Sequence, residues 1–275
     1  MRYRSIGDVE VSAIGLGAMP LSIEGRPDAG RAIATIHAAL DAGVTLIDTA
    51  DSYHWHAGET GHNEVLIAEA LATYGGGSDA VLVATKGGRG RPGDGSWTVT
   101  GTPAHLKNAC EGSLKRLGVD AIGLYQLHKP DQNVPWTESV GAIKELADDG
   151  KIRLAGVSNV SSAQILEARE ILGDKLVSVQ NEHSPANLTH EPELALCTEL
   201  GLAYLPWGPL GGIGGEFLAV AAELGVSPQR VCLAWLLAKS PSMIAIPGST
   251  RPATIRDSAA AADLVLTAGQ LARLP

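Results

Sequence analysis

Short apolar runs alternate with longer segments of helical period along most of the chain, and the runs are rich in Val, Ile and Leu on both alternating faces. Strands of that kind are buried on both sides, as in a parallel sheet covered by helices. Residues 3–12 read as a small hairpin turning at Gly7-Asp8, and 13–19 as the first inner strand. Pro27-Asp28 opens a helix that stops at Gly43, with aspartate as cap and glycine as terminator. A strand ending at Asp48 follows, then a helix over 63–72 and a strand over 81–86. Thr102-Pro103, a cap with a first-turn proline, starts a helix running to Leu117, and 122–128 is the next strand. The second half continues with helices over 135–149, from Ser161-Ser162 to Leu172, after Pro192 to Leu200, from Ser227-Pro228 onward, and over 252–262. Strands over 152–158, 176–180, 203–207 and 243–246 lie between them. Residues 87–101 show no period and read as a glycine-rich loop. Eight strands, each followed by a helix at ~30–40 residue spacing, predict an α/β fold: a (β/α)8 TIM barrel with an N-terminal β-hairpin. Residues 1–275 then form a single domain.

Composition narrows the partners. With 21 Lys and Arg against 30 Asp and Glu, the net charge is −9, so nucleic acid and anionic membranes are not expected as partners. Cys110, Cys197 and Cys232 are far apart and odd in number, which fits a reduced, cytoplasmic protein without a disulfide framework. Neither a signal peptide nor a membrane span is expected. No apolar stripe is left over once the barrel is accounted for, which points to a monomer.

Three strands end on ionisable side chains. Val44-Thr45-Leu46-Ile47 stops at Asp48, with Tyr53 five positions on; Val81 to Thr85 stops at Lys86, and Ile122 to Leu127 stops at His128. In a barrel these strands are neighbours, and their C-terminal ends share the rim where such folds place chemistry. A phenol is a poor acid near neutrality, but an adjacent ammonium favours its phenolate and is expected to lower its pKa. Asp48 would hold Lys86 charged, and Tyr53 with His128 would serve a developing alkoxide. Such a site reduces a carbonyl when something else supplies hydride. His54 and His56 bracket Trp55 without a third ligand nearby, so they read as solvent-exposed loop residues and no metal is expected.

The motifs Asp48-Thr49-Ala50-Asp51-Ser52-Tyr53, Asn63-Glu64, Thr85-Lys86, Gln126-Leu127-His128, Gly156-Val157-Ser158-Asn159, Gln180-Asn181 and Ile246-Pro247-Gly248-Ser249 occur in an order that resembles the aldo-keto reductase superfamily. The resemblance covers nearly the whole chain. It implies reduction of aldehydes and ketones by NADPH, with Tyr53 as the acid, Asp48 and Lys86 tuning it, and His128 orienting a small-molecule carbonyl. It further implies a cofactor groove built from Gly17, Ala18 and Met19, from Ser158, Asn159 and Gln180 at the nicotinamide carboxamide, and from Trp207 stacked on the ring. Gly208, Pro209, Leu210 and Gly212 would follow the pyrophosphate. Ile246, Gly248, Ser249, Thr250, Arg251, Asp257 and Ser258 would complete the groove, Arg251 facing the 2′-phosphate.

Some residues depart from the family pattern. Thr254 and Ser258 replace a basic residue and an asparagine, and Gly248 replaces a lysine, which leaves NADH use open beside NADPH. His54-Trp55-His56 follows the tyrosine where the family usually has a glycine, and is expected to add bulk at the pocket mouth. The chain stops soon after its last barrel helix, so an open, tolerant pocket is expected, walled by Met19, Trp55, Trp97 and His128. Two other readings stay open: alcohol oxidation in the reverse direction, on a pyridoxine-like or sugar alcohol, and a cofactor-sensing regulatory subunit with little turnover.

Overall fold

Ile6 and Val11 are fully buried although they lie in an exposed-looking hairpin, because that hairpin plugs one end of a barrel. In the computed structural model, which describes residues 1–275, β1 (Tyr3–Ile6) and β2 (Val9–Ser12) pair antiparallel. Their apolar side chains meet Leu46, Leu82, Leu124, Leu154 and Ile244, which point inward from the barrel strands. Gly7 makes the turn at φ +59°, and a Cβ there would come within 2.8 Å of Val177.

The barrel strands are β3 (Leu16–Gly17), β4 (Leu46–Asp48), β5 (Leu82–Gly87), then, past a small hairpin, β8 (Ile122–Leu127), β9 (Ile152–Ser158), β10 (Leu176–Gln180) and β11 (Ala203–Tyr204). They form one parallel sheet in the order β11-β10-β9-β8-β5-β4-β3. The expected eighth strand, 243–246, closes the sheet through single bridges instead of a regular ladder. Tyr204 pairs with Met243, Ile14 with Ala245 and Gly17 with Gly248. Pro247 interrupts the run, since it has no N–H to donate.

The helices sit outside, where the period placed them: α1 (Ala29–Asp41), α2 (His62–Thr73), α3 (Pro103–Leu117), α4 (Trp136–Asp148), α5 (Ser162–Leu172) and α6 (Glu191–Leu200). Asp28, Thr102 and Ser161 each accept a hydrogen bond from the first turn of the helix they open. Two elements were not expected. The glycine-rich stretch holds a short hairpin, β6 (Arg89–Gly90) with β7 (Thr98–Val99), and α7 (Glu216–Leu224) precedes α8 (Pro228–Lys239). The chain ends with α9 (Pro252–Ala259), a 3₁₀ turn and the short α10 (Ala268–Leu271). No single helix is long and apolar enough to cross a membrane.

Candidate active site

Parallel strands bring Asp48, Lys86 and His128 to one rim, because Asp48 pairs in register with Ala84 and Lys86 with Gln126. Tyr53 reaches the same point from the loop after β4. Lys86 Nζ donates to Asp48 Oδ1 at 2.5 Å, to the Thr49 carbonyl at 2.8 Å and to the Tyr53 hydroxyl at 3.2 Å. All three ammonium donors are thus used, on a side chain with no exposure. The Tyr53 and His128 rings stand edge to face with centroids 5.7 Å apart.

The electrostatics differ from the sequence expectation in one respect. Burial is the largest influence on Tyr53, and with Asp48 it raises the phenol pKa above 10 despite the opposing pull of Lys86. The expected lowering by the ammonium is therefore overturned: desolvation of the phenolate outweighs one nearby charge, and Tyr53 is a protonated phenol near neutrality. For Lys86, burial acts downward, but the attraction of Asp48 and Tyr53 prevails and raises its pKa. His128 is held well below its ordinary value by burial, then by Lys86 and Arg89, so its imidazole is neutral.

A ring of amides holds this group. Gln180 Nε2 donates to Asp48 Oδ2 at 2.8 Å, with Gln126 Nε2 at 3.3 Å from the same oxygen. Asn159 carries the chain's one positive φ outside glycine, 59°, the kind of backbone strain that collects at functional sites. Its Nδ2 donates to the His128 carbonyl and the Ser158 hydroxyl, while its Oδ1 accepts from Trp207 Nε1 at 3.0 Å. Asn159 therefore braces His128 against Trp207 while its side chain lines the cavity. Below the rim, Glu64 accepts from Thr85 at 2.5 Å and from Arg116 at 2.6 Å, which gives the Asn63-Glu64 motif a supporting role.

A cavity of ≈ 650 Å³ opens over the tetrad. Asp48, Tyr53, His128, Gly17, Met19 and Trp97 line it as expected, as do Ser158, Asn159, Gln180, Ile246 and Gly248. Trp207, Gly208, Pro209 and Leu210 form the opposite wall. Pro20, Arg89 and Gly211 also line it, and sequence reasoning missed them. Gly212 lies just outside, against Ala186. Ser249 is buried, Thr250 half-buried and Arg251 exposed at the start of α9.

Five expected contacts are corrected. Trp55 does not wall the cavity; its ring stacks on His56 at 4.9 Å and faces Arg26. His54 is buried rather than exposed, with Nδ1 2.8 Å from the His56 carbonyl, so it adds no bulk at the mouth. Asp257 is occupied by Arg230 and Ser227, clamping α9 to α8. Ala18 and the Ser258 hydroxyl are sealed in the interior, Ala18 through its backbone bonds to Asp48 and Asn63.

The profile of the Aldo/keto reductase family matches residues 13–275. The chain belongs to this family of oxidoreductases. This aldo/keto reductase is 35% identical to pyridoxine 4-dehydrogenase of Escherichia coli (strain K12) over 284 residues, covering 98% of this chain and 96% of the relative. Its fold is similar to the glycerol dehydrogenase of Gluconobacter oxydans, with a TM-score of 0.84, 28% identity, and 98% and 93% of the two chains covered. An aldo/keto reductase from Klebsiella pneumoniae, solved in complex with NADP and acetate, gives a TM-score of 0.80 at 27% identity with the same coverage.

Proposed function

We propose that this aldo/keto reductase is NADPH-dependent and reduces aldehydes or ketones to alcohols, with Tyr53 as general acid. The observation that carries the reading is a buried phenol kept protonated yet 3.2 Å from a charged Lys86. The reduced nicotinamide, when bound, supplies the hydride. The chain's residues fit it: the Trp207 indole is 37% exposed and fixed by Asn159, so it offers a flat face. Bare glycines at 17, 208, 211 and 248 line the cavity beside it, and the start of α9 with Arg251 suits a phosphate. The Klebsiella relative's NADP supports the same choice.

The carbonyl oxygen is then placed between Tyr53 and the neutral His128. As negative charge grows on that oxygen, the Tyr53 hydroxyl gives up its proton and Lys86 stabilises the phenolate left behind. Asp48 keeps Lys86 charged throughout.

Alcohol oxidation is a second reading, favoured by relatives named as pyridoxine and glycerol dehydrogenases. Because oxidation needs the Tyr53 phenolate as base, the raised pKa predicts that oxidation gains rate as the pH rises. The test is loss of absorbance at 340 nm with purified protein, NADPH and a panel of aromatic and aliphatic aldehydes. Aldehyde-dependent oxidation of NADPH is expected; tight NADPH binding without turnover would shift the reading to alcohol oxidation or to cofactor sensing.

A further inference from the structure

Arg89 is a cation in the cavity wall without a counter-charge. It stands on the small β6–β7 hairpin, where it pairs with Val99. Its Nε is buried with no hydrogen-bond partner, and no carboxylate lies within ion-pair distance of its guanidinium. Arg91, two residues on, does have a counter-charge: it pairs with Glu24 and donates to the His54 carbonyl at 2.9 Å, although its Nε, like that of Arg89, is buried without a partner. Both guanidinium groups sit against the Trp97 ring, Arg89 at 4.6 Å and Arg91 at 4.5 Å from its centroid. The Trp97 ring in turn lies 6.4 Å from Tyr53 and 6.5 Å from His128. Burial lowers the Arg89 pKa, with Arg91 acting in the same sense and Tyr53 against it.

The cofactor is a poor candidate for that partner. Arg89 follows β5, whereas Trp207 to Gly211 and Ile246 to Gly248 follow the last two barrel strands, across the cavity. That leaves the part of the cavity lined by Arg89 and Trp97 for the substrate.

We infer that Arg89 is a specificity residue which binds an anionic group on the far end of the substrate, so that the preferred substrates are carbonyl compounds carrying a carboxylate or a phosphate. Guanidinium forks bind both groups in bidentate fashion. The Trp97 face suits the carbon skeleton between the anion and the reacting carbonyl. The identity of the anion follows from the relative rates of carboxylated and phosphorylated substrates. This inference rests on the cavity being the substrate site of the proposed reductase.

Two measurements test it. In the first, kcat/KM with NADPH is compared within matched pairs: 4-carboxybenzaldehyde against its methyl ester, and glyceraldehyde 3-phosphate against glyceraldehyde. At least one anionic member is expected to be favoured about tenfold to a hundredfold, chiefly through KM. Arg89→Gln should erase that ratio, and Arg89→Lys should restore part of it. In the second, calorimetric binding of benzoate and of benzamide is compared in the native protein and in Arg89→Gln. Tighter binding of benzoate, lost in Arg89→Gln and partly regained in Arg89→Lys, supports the assignment even if no aldehyde is reduced, in which case it is the reductase reading that fails. Equal binding of benzoate and benzamide, or a preference unaltered by Arg89→Gln, overturns it whatever the turnover.

Discussion

Gln180 Nε2 donates to Asp48 Oδ2 at 2.8 Å across the barrel, although 132 positions separate the two in sequence. Asp48 thus receives Lys86 on one oxygen and Gln180 on the other, and the ammonium that tunes Tyr53 is positioned from two strands at once. Gln180→Ala removes one donor from a buried carboxylate and should cost about 1.5–3 kcal/mol in urea unfolding. Gln180→Glu, which sets a second carboxylate against Asp48, should cost more at pH 7 and recover as the pH falls. A native unfolding midpoint in both variants would show that Asp48 does not depend on this bond.

Tyr53→Phe keeps the ring that packs against His128 and Trp97 and removes only the proton donor. Carbonyl reduction should fall by roughly 10²–10⁴-fold, the usual contribution of a positioned acid. Affinity for NADPH should be nearly unchanged, because the phenol acts on the substrate. Stopped-flow turnover and a fluorescence titration separate the two; native turnover in the variant would remove Tyr53 from its role.

Arg251 is exposed at the start of α9 and holds no ion pair. A guanidinium there adds a charge-assisted contact to a 2′-phosphate but none to a 2′-hydroxyl. Arg251→Ala should therefore weaken NADPH by about 10–100-fold and leave NADH close to native. Titration of both cofactors checks this, and an equal loss for the two would place the 2′-phosphate elsewhere.

Asp48, Lys86 and His128 were legible because each ends an apolar run and run length alone places a strand end, with Tyr53 close behind Asp48 in sequence. What stayed hidden depends on the third dimension. Trp55 lies two residues from Tyr53, yet the intervening His54 turns inward and Trp55 stacks outside on His56. Helix α7 went unread because Gly211, Gly212, Gly214 and Gly215 precede it and its sequence, Glu-Phe-Leu-Ala-Val-Ala-Ala-Glu-Leu, has too few polar positions to show a face. Arg89 sits in a stretch with no period, and only the folded hairpin aims it at the cavity. The sign of the Tyr53 shift could not be read either, since it is the balance of burial against Lys86, and burial is a property of the assembled barrel.

Asp51 gives the fold a pH dependence of its own. Its carboxyl is buried beneath the rim, with Oδ1 lacking a partner, and burial together with the nearby Glu64 pushes its pKa up to about 8. In the unfolded chain an aspartate titrates near its ordinary value of about 3.9. Between those two values the folded protein keeps a proton that the unfolded chain has released, so stability declines as the pH rises through this window. The contribution is complete below about pH 4 and gone by about pH 8, with a slope of up to about 1.4 kcal/mol per pH unit. Asp51→Asn carries a neutral amide at every pH and should lack this slope. Urea unfolding at pH 5 and pH 8 should show the native protein losing more stability between the two than Asp51→Asn does. The comparison is made between the two proteins because other groups, such as the neutral His128, titrate nearby and cancel in the difference. Equal losses in both would mean that Asp51 is already ionised in the folded state.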